Sequence, residues 1–312
     1  MYLPPIIHTI SQTLQTHHAK AIIVGGSVRD HFLQLPIKDY DIEVYGLASI
    51  QLLEEILSQY GSVNLVGKSF GVLKFIHNHE EYDFAFPRTE QKVGQGHTGF
   101  EVISDGFLSY KSASTRRDFT INAMGYDISN KQFLDPYDGL KDIQVKQLRH
   151  IDDNSFIEDP LRVYRAIQFS ARFGYTLAPK TVLLCQSMVN KGMLTELPKE
   201  RIYTEWVKLL FKSPKPSLGF ELMRELGVLR YFPELQALIG VPQSPKWHPE
   251  GDVWIHTMMC LDAMVTLLGN DKRLNLKLMF AILCHDLGKA TTTTVNTEGN
   301  IQAIGHESAG LE

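Results

Sequence analysis

The residue types best suited to metal and phosphate chemistry stand near the start of the sequence, in Asp39-Tyr40-Asp41. If 38–45 forms a strand, side chains two residues apart face the same side, so both aspartates project together while Tyr40 and Ile42 pack behind them. Paired carboxylates bind hard divalent cations, and two cations on one phosphate suit phosphoryl or nucleotidyl transfer. A solvated strand edge is the alternative, and this pair alone does not decide between them.

A glycine pair, Gly25-Gly26, follows the apolar run 21–24, which predicts a buried strand. Glycines let the backbone turn tightly and bring its N–H groups close to a bound anion. Ser27 is a candidate N-cap, so the next helix would point its positive end at that anion, with Arg29 one turn further on. The order strand, Gly-Gly, helix, strand, Asp-x-Asp therefore predicts a nucleotide site.

A second group of charges is Arg116-Arg117-Asp118, which we place at the start of a helix. Two adjacent arginines cannot share a helix face, so at most one would point into a site. The guanidinium fork matches phosphate oxygens, which makes Arg116 a candidate for a triphosphate or ribose contact. A solvated pair flanking Asp118 is the alternative.

A third group lies in a helix predicted over 155–173. Asp159 stands three residues before Arg162, and Arg165 follows at helical spacing. A carboxylate accepts from the exocyclic amine that cytosine and adenine share, and an arginine donates to the ring nitrogen beside it. Such a pair would select C and A over U and G. An S-x-x-E capping box beginning at Ser155 is the structural interpretation of the same stretch, and both can hold.

Bulk properties exclude several classes of protein. The 312 residues suffice for roughly two domains, and 44% hydrophobic with 21% charged residues is ordinary for a soluble globular chain. No apolar run reaches membrane-spanning length, and the start lacks a secretory signal pattern. Three cysteines without a CxxC indicate a reducing compartment, so we expect a cytoplasmic protein without a membrane partner. The net charge of −4 argues only weakly against nucleic acid.

Secondary-structure patterns divide the sequence. The first 145 residues alternate short strand patterns with amphipathic helices, and from about residue 150 helices dominate. We therefore predict an α+β head followed by an all-helical remainder.

Histidines near the end of the sequence form a separate candidate site. His256 lies in a predicted helix, His285-Asp286 opens the string HDLGK, and His306 follows. A single histidine on an apolar helix is usually a core residue. The HDxGK string with an upstream His-Thr instead favours a divalent metal site.

Five ordered motifs of this sequence closely resemble those of bacterial tRNA nucleotidyltransferases, the CCA-adding enzymes of the class II polymerase-β-like superfamily. The motifs are GGSVRD…KDYDIE, PRTEQKVGQGHTGF, RRDFTINAM, EDPLRVYRAIQFSARF and LPKERIYTEW. The resemblance implies a head with a small mixed sheet and helices, a helical neck and body, and an HD-like part. The implied bounds are 1–145 for the head, 146–212 for the nucleotide-selecting neck, 213–250 for the body and 251–312 for the HD-like part.

The resemblance also implies residue roles. Asp39 and Asp41 would bind Mg²⁺ and carry catalysis, whereas Glu43 has no metal role in the family. Nucleotide-binding residues would be Gly25, Gly26, Arg29, Arg116, Asp159, Arg162 and Arg165. The loop 88–99 would match the element associated with switching from C to A addition. The substrates would be CTP, ATP and a tRNA 3′ end, whose hydroxyl attacks the α-phosphate.

The histidine region resembles the HD phosphohydrolase module of some bacterial CCA-adding enzymes. In it, His256, His285, Asp286 and His306 would hold a second divalent metal, Ni²⁺ or Mg²⁺. HD domains normally draw a final aspartate from a later helix, and the sequence stops at Glu312. We therefore expect a truncated HD-like domain with weak or absent hydrolase activity and an incomplete grip on tRNA.

Several alternatives stay open at this point. A poly(A) polymerase of the same superfamily shares the Gly-Gly, Asp-x-Asp and RRDFTIN elements, and relatives that add only CC or only A exist. From a different class, the chain could act mainly as an HD phosphohydrolase, although the intact Asp39 and Asp41 count against this. A pure RNA-binding module fits the sequence least well.

Overall fold

The computed structural model of the protein describes residues 1–66, 71–92 and 100–311. The chain separates into two compact units, Met1–Asp159 and Pro160–Glu312. Within the described ranges, none of the helices has the length and apolarity that crossing a membrane requires.

The first unit mixes helices and strands, as the sequence predicts. Its helices are α1 (Pro5–Thr16), α2 (Gly26–Phe32), α3 (Ile50–Ser58), α4 (Tyr110–Ser114), α5 (Gly139–Gln144) and α6 (Asp153–Glu158). Its strands are β1 (Lys20–Val24), β2 (Asp41–Tyr45), β3 (Ser62–Val66), β4 (Val72–His77), β5 (Glu80–Ala85), β6 (Arg88–Lys92), β7 (Phe100–Ser104), β8 (Gly125–Asp127), β9 (Gln132–Leu134) and β10 (Gln147–Leu148). A 3₁₀ turn covers Thr120–Asn122.

Seven of these strands form one mixed sheet in the order β3-β4-β5-β2-β1-β8-β9. Only the β2–β5 pairing is parallel, and its register sets Asp41 opposite Asp83. Strands β6 and β7 pair with each other in a separate antiparallel ribbon. The central strand β2 is therefore paired on both edges, with β5 and with β1, which fixes its register.

The two faces of the sheet carry different side chains, because successive residues of a strand point to opposite sides. Ile23 and Val44 belong to the larger core, on which α1 and α3 pack. Ile22 and Val24 belong to a smaller apolar cluster on the other face, together with Tyr45. Ile22 pairs with Glu43 and Val24 pairs with Asp41, so the acidic side chains of β2 lie on this second face.

The second unit is mostly helical. Its helices are α7 (Leu161–Phe173), α8 (Pro179–Asn190), α9 (Lys199–Lys212), α10 (Ser217–Glu225), α11 (Pro233–Gln236), α12 (Val253–Val265), α13 (Lys272–Cys284), α14 (Lys289–Thr292) and α15 (His306–Ala309), with 3₁₀ turns at Met193–Glu196 and Val228–Tyr231. The short strands are β11 (Thr176–Leu177), β12 (Thr294–Val295) and β13 (Ile301–Gln302). The paired β12 and β13 depart from the all-helical prediction.

Packing in the second unit centres on α7 against α9 and α10, and on α12 against α10 and α13. Trp254 of α12 is fully buried, and its indole N–H donates to the Glu221 carboxylate at 2.6 Å. This bond satisfies the one polar atom of a large apolar side chain, so α12 is held in a defined rotation.

The single helix predicted over 155–173 is wrong, since α6 and α7 are separated at Asp159 and Pro160. Proline disfavours helical geometry at the residue before it, and Asp159 is extended with ψ 97°. The capping box predicted at Ser155 is also wrong. Asp152 is the N-cap of α6, and its Oδ1 accepts from the Ser155 N–H at 2.8 Å.

Candidate active site and histidine cluster

The two predicted metal-binding aspartates stand at the N-terminal end of β2. The strand begins at Asp41, three residues later than the start predicted at Lys38, so Asp39 lies in the segment that leads into it. Both aspartates are exposed. Tyr40 and Ile42 pack against the larger core, as the alternation predicts.

A third carboxylate, Asp83, stands beside Asp41 on the neighbouring parallel strand. Its N–H donates to the Tyr40 carbonyl at 3.1 Å, which holds the start of β2 against the interior of β5. Desolvation raises the pKa of Asp41, Arg117 opposes that shift, and Asp83 and Asp39 add to it. A divalent cation would relieve this repulsion between carboxylates, so the oxygen donors fit Mg²⁺.

Sequence reasoning missed Asp83 because its partner strand is forty residues away in the chain. The alternating string EYDFAF predicts the strand, but only the sheet order shows that its aspartate faces the Asp-x-Asp motif.

Behind the aspartates, Glu43 ties two arginines to the sheet. The buried Glu43 Oε1 accepts from Arg116 Nη2 and from Arg117 Nη2, both at 3.1 Å, while Tyr45 donates to Oε2 at 2.7 Å. Burial favours the neutral acid, but Arg117 and Arg116 outweigh it and hold the pKa of Glu43 below its usual value. The carboxylate is therefore charged at neutral pH and is surrounded by more positive than negative charge.

The placement of both arginines corrects the sequence prediction. They lie in the turn that follows α4, not at the start of a helix, and the next regular element is the 3₁₀ turn Thr120–Asn122. A turn does not impose helical side-chain spacing, so Arg116 and Arg117 reach the same carboxylate oxygen. Arg117 is thus a site residue that the sequence analysis did not select.

Gly25 lets Arg117 come this close. Its φ of +72° and ψ of −130° suit glycine only, and a Cβ there would stand 2.8 Å from Arg117 Nη1. The Gly25 N–H donates to the Met124 carbonyl at 3.3 Å. Gly25 is also the N-cap of α2, which corrects the assignment of Ser27, whose hydroxyl donates to the Val24 carbonyl at 3.3 Å.

Arg29, a predicted nucleotide ligand, is buried among protein acceptors. Its Nη1 donates to Asn122 Oδ1 at 2.6 Å and its Nε donates to Asp30 Oδ1 at 2.8 Å. Asn122 in turn donates to Asp118 Oδ1 at 2.8 Å. Gly26 stands over this guanidinium, since a Cβ there would lie 3.4 Å from Arg29 Nη2. These contacts connect α2 to the RRDFTIN segment and so fix the position of the Gly25-Gly26 turn.

The four predicted HD residues come together in the second unit. The buried Asp286 carboxylate lies 3.3 Å from His285 Nε2, 3.6 Å from His306 Nε2 and 3.9 Å from His256 Nε2. Each imidazole thus turns the same ring nitrogen towards one acid.

The other nitrogen of each ring has a fixed partner. His256 Nδ1 lies 2.6 Å from Glu250 Oε1, His285 Nδ1 lies 2.7 Å from the Ile282 carbonyl, and His306 Nδ1 lies 2.8 Å from the Ala303 carbonyl. Because these partners are acceptors, they favour the tautomer with hydrogen on Nδ1 and a lone pair on Nε2. Lone pairs facing a carboxylate favour a positive charge between them, either a proton or a metal ion, and the hydrogen bond to Asp286 raises the pKa of His285 accordingly.

Lys289 stands where such a cation would be placed, with Nζ 2.8 Å from Asp286 Oδ2. Burial opposes ionisation of Asp286, but His285 and Lys289 hold its pKa well below the usual value. Within the described residues, Oδ2 receives no hydrogen bond of normal geometry. A buried, ionised and incompletely bonded acid among imidazoles fits a divalent metal.

Cluster members that sequence reasoning missed are His248, Glu250, Cys260 and Lys289. Glu250 Oε1 also lies 3.0 Å from His248 Nδ1. Backbone and histidine hydrogen bonds lower the pKa of Glu250 to about 2. The WHPEG string before α12 carries two of these residues close to His256 in sequence, which is the signal that could have found them.

Comparison with known proteins places the chain in a family. A family model described as the poly A polymerase head domain matches residues 21–149, and one described as a probable RNA and SrmB-binding site of polymerase A matches residues 174–239. The Multifunctional CCA protein of Mannheimia succiniciproducens is 40% identical over 294 residues, covering 93% of this chain and 67% of that protein. The chain belongs to the bacterial CCA-adding enzymes.

Solved structures of CCA-adding enzymes share the fold. A tRNA nucleotidyltransferase complexed with a primer tRNA and an incoming ATP analogue is 28% identical with a TM-score of 0.60, covering 87% of this chain and 80% of that one. The Thermotoga maritima CCA-adding enzyme complexed with tRNA is 20% identical with a TM-score of 0.67, covering 91% and 63%, and shows the fold alone. The polymerase-β-like head predicted from the sequence is confirmed. The chain spans about two thirds of the length of its curated relatives.

Two further regions predicted from the resemblance to CCA-adding enzymes have different outcomes. Asp159 is the half-buried last residue of the first unit, whereas Arg162 and Arg165 are half-buried on α7 of the second, where Arg165 lies over the Phe169 ring at 5.1 Å. Of the loop predicted over 88–99, only β6 is described, and residues 93–99 lie outside the described part of the chain.

Proposed function

We propose that this chain adds CCA to tRNA 3′ ends without a template, taking the nucleotides from CTP and ATP. The observation that carries this is the acidic N-terminal end of β2, where Asp41 lies opposite Asp83 and two arginines are held by Glu43. Membership of the CCA-adding family supports the choice of nucleic-acid substrate.

The geometry supports distinct tasks for these residues. Asp41 and Asp39, with Asp83 beside them, would hold Mg²⁺, which supplies a lowered pKa for the attacking hydroxyl and neutralisation of developing phosphate charge. Arg116 and Arg117 would donate to triphosphate oxygens from positions that Glu43 fixes in advance. Electrostatic groups held in place before reaction cost little reorganisation during it.

Base selection is proposed for Asp159 and the two arginines of α7. An aspartate accepting from the amine of cytosine or adenine, with an arginine donating to the ring nitrogen beside it, excludes uracil and guanine. Asp159→Ala is then expected to relax base choice more than it slows addition. Gly25, Gly26 and Arg29 are proposed to shape the nucleotide pocket, because their contacts set the positions of Arg117 and α2.

One primer-extension experiment tests the proposal. Transcripts of tRNA ending at the discriminator base, at C or at CC are offered CTP alone, ATP alone or both, and the products are sized. We expect CC from CTP alone and CCA from both nucleotides, with no growth beyond A. Asp41→Asn provides the inactive control.

Other outcomes identify other functions. Long A tails on unrelated RNA would indicate a poly(A) polymerase. Arrest at CC when both nucleotides are present would indicate a CC-adding enzyme, and addition only to the CC transcript would indicate an A-adding one. No incorporation by a folded chain would contradict the proposal.

Domain division and location are part of the same proposal. The head, neck, body and HD-like bounds predicted from the resemblance stay predictions, since the structure shows two units.

A cytoplasmic location is proposed because Cys185, Cys260 and Cys284 are all unpaired, which fits a reducing compartment.

A second candidate function rests on the convergence of three imidazoles on Asp286. We propose that this cluster binds a divalent metal, Ni²⁺ or Mg²⁺, as in HD phosphohydrolases. The expectation of weak hydrolase activity is tested by phosphate release from 2′,3′-cyclic AMP with either metal, which requires opening of the cyclic ester to a monophosphate and then hydrolysis of that monophosphate. Robust release, lost in Asp286→Asn, would contradict that expectation.

A further inference from the structure

The histidine cluster contains a thiol that faces the same space as the imidazole nitrogens. Cys260 follows His256 by one turn of α12, and its Sγ lies 3.4 Å from His256 Nε2. The ligand atoms of His256, Cys260 and His285 all lie within 4.8 Å of one another. Sulfur is therefore close to the nitrogen lone pairs that surround Asp286.

These separations are close to those of a tetrahedral centre. Zinc bonds of about 2.3 Å to sulfur and about 2.0–2.1 Å to nitrogen give a nitrogen–sulfur edge of roughly 3.5 Å. The observed distance from Cys260 Sγ to His256 Nε2 is 3.4 Å, and His285 Nε2 lies 3.3 Å from Asp286 Oδ2. Two nitrogens and one sulfur thus face a common space, and the Asp286 carboxylate lies beside the His285 nitrogen and 3.9 Å from that of His256.

A second observation, independent of the thiol, also points to a ligand. Asp286 is 2% exposed, and its Oδ2 lacks a normal hydrogen bond within the described residues, although Lys289 Nζ is close enough for an ion pair. Buried carboxylates are costly unless a cation compensates them. The fixed Nδ1 partners of His256 and His285 turn their Nε2 atoms towards Cys260 and Asp286, where these nitrogens can supply the remaining ligands.

We propose that Cys260 is a metal ligand, so that His256, Cys260, His285 and Asp286 form a mixed nitrogen, sulfur and oxygen centre for Zn²⁺ or Co²⁺. This inference rests on the proposed metal site. A thiolate favours borderline and soft metals, whereas Mg²⁺ takes oxygen ligands in an octahedron. Cys260 loses its proton to solvent when the sulfur–metal bond forms. With Cys260 as a ligand, the centre prefers these metals to the Mg²⁺ that the proposed function also allows at this cluster.

Cobalt absorption tests the assignment directly. The purified chain is stripped with chelator and titrated with Co²⁺, and the near-ultraviolet thiolate-to-cobalt charge-transfer band is recorded. We expect the band in the unaltered chain and its loss in Cys260→Ser, with the affinity for Co²⁺ reduced at least about 10-fold. The other two cysteines give matched controls, since the exposed Cys284 and the buried Cys185 lie outside the cluster. Cys284→Ser and Cys185→Ser are expected to keep the band.

The outcomes separate the thiol from the site as a whole. Visible cobalt bands that depend on His256 but come without charge transfer would overturn the role of Cys260 and leave the metal site standing. An absence of Co²⁺ binding would overturn both. A charge-transfer band that survives in Cys260→Ser would overturn the assignment, and displacement of Co²⁺ by Mg²⁺ would overturn the selectivity. Cys260→Ala and thermal unfolding without metal show whether loss of the band reflects loss of the fold.

Discussion

In the first unit, Asp41 stands exposed at the end of a strand among other carboxylates and two arginines, whereas in the second unit Asp286 lies buried among three imidazoles. The first arrangement offers hard oxygen ligands to a cation and guanidinium groups to a phosphate. The second offers nitrogen and sulfur. The difference predicts that the two sites discriminate between metals in opposite directions.

The side chains are also held by different means. In the head, backbone pairing sets Asp41 against Asp83, and the single carboxylate of Glu43 fixes two arginines. In the cluster, each ring is fixed by its own Nδ1 partner, two of which are backbone carbonyls. Loss of the Glu43 carboxylate should therefore displace both arginines of the head site at once. Loss of one Nδ1 partner in the cluster should release only one imidazole and lower the metal affinity by one step.

The largest effect is expected from Asp41→Asn. Loss of this charge removes a metal ligand without disturbing the core, because the side chain is exposed. Nucleotide addition should fall by at least about 10²–10³-fold. Thermal stability should not fall, because the neutral amide removes the repulsion from Asp83 and Asp39. Primer extension measures the loss. The exposed Glu81 of β5 provides a matched control, and Glu81→Gln should keep full activity.

Glu43→Gln should have the next largest effect, on stability. Breaking a buried ion pair by removing one partner costs about 3 kcal/mol of unfolding free energy, measured by urea denaturation. Glu205→Gln is the control in the second unit, because Glu205 is also buried but its partner Lys208 is one-third exposed. A larger loss in the control than in Glu43→Gln would refute the view that Glu43 organises the head site.

The Glu43 effect has a defined pH dependence. The pKa of Glu43 is lowered in the folded chain, so its charge stabilises the fold fully above the unfolded value of about 4.3. That contribution is lost as pH falls from there through the folded pKa. The stability difference between the unaltered chain and Glu43→Gln should therefore be largest at neutral pH and shrink below about pH 4.

The cluster responds more moderately, as tested by Glu250→Gln. Glu250 contacts Nδ1 of His256 on the side of the ring that faces away from Asp286. A neutral amide fixes the tautomer less well, so the affinity for Zn²⁺ should fall about 10- to 100-fold in calorimetric titration. Nucleotide addition should be unaffected, and an equal loss of both properties would show that the sites are not independent.

The sequence predicts a site best when the residues that form it lie close together in the chain. The strand–glycine–helix–Asp-x-Asp order is contiguous, so alternation and turn chemistry were enough to predict a shared site for Gly25 and the Asp-x-Asp motif, and Asp41 does lie beside Gly25. Asp83 could not be predicted because the parallel β2–β5 pairing depends on the whole sheet. Arg117 was passed over because a helix was assumed where the chain forms a turn.

The break at Asp159 teaches a related lesson. Helical spacing joined Ser155 to Phe173, but Pro160 restricts the residue before it and ends α6. Asp152 then became the cap, because α6 begins two residues earlier than the pattern suggested. In the cluster, the HDxGK string predicted His285 and Asp286. Cys260 follows His256 by four residues in the predicted helix, but only the structure shows that its Sγ faces the Nε2 of His256.

The smallest expected effect concerns Gly25, whose backbone conformation and close contact with Arg117 both restrict the residue at this position. Gly174→Ala places a side chain in the left-handed region, φ +66° and ψ 35°, and should lose about 1 kcal/mol of unfolding free energy. Gly25→Ala places one at φ +72° and ψ −130°, which only glycine adopts readily, so its backbone strain should be larger. Nothing lies within 4 Å of a Cβ at Gly174, whereas at Gly25 it would stand 2.8 Å from Arg117 Nη1. Gly25→Ala should therefore cost about 1 kcal/mol more, as overpacking does, and should also slow nucleotide addition by moving Arg117. Equal losses of unfolding free energy in urea denaturation, with unchanged primer extension, would mean that Gly25 is needed only for the backbone turn. The contact between Gly25 and Arg117 would then not contribute to the position of Arg117 in the head site.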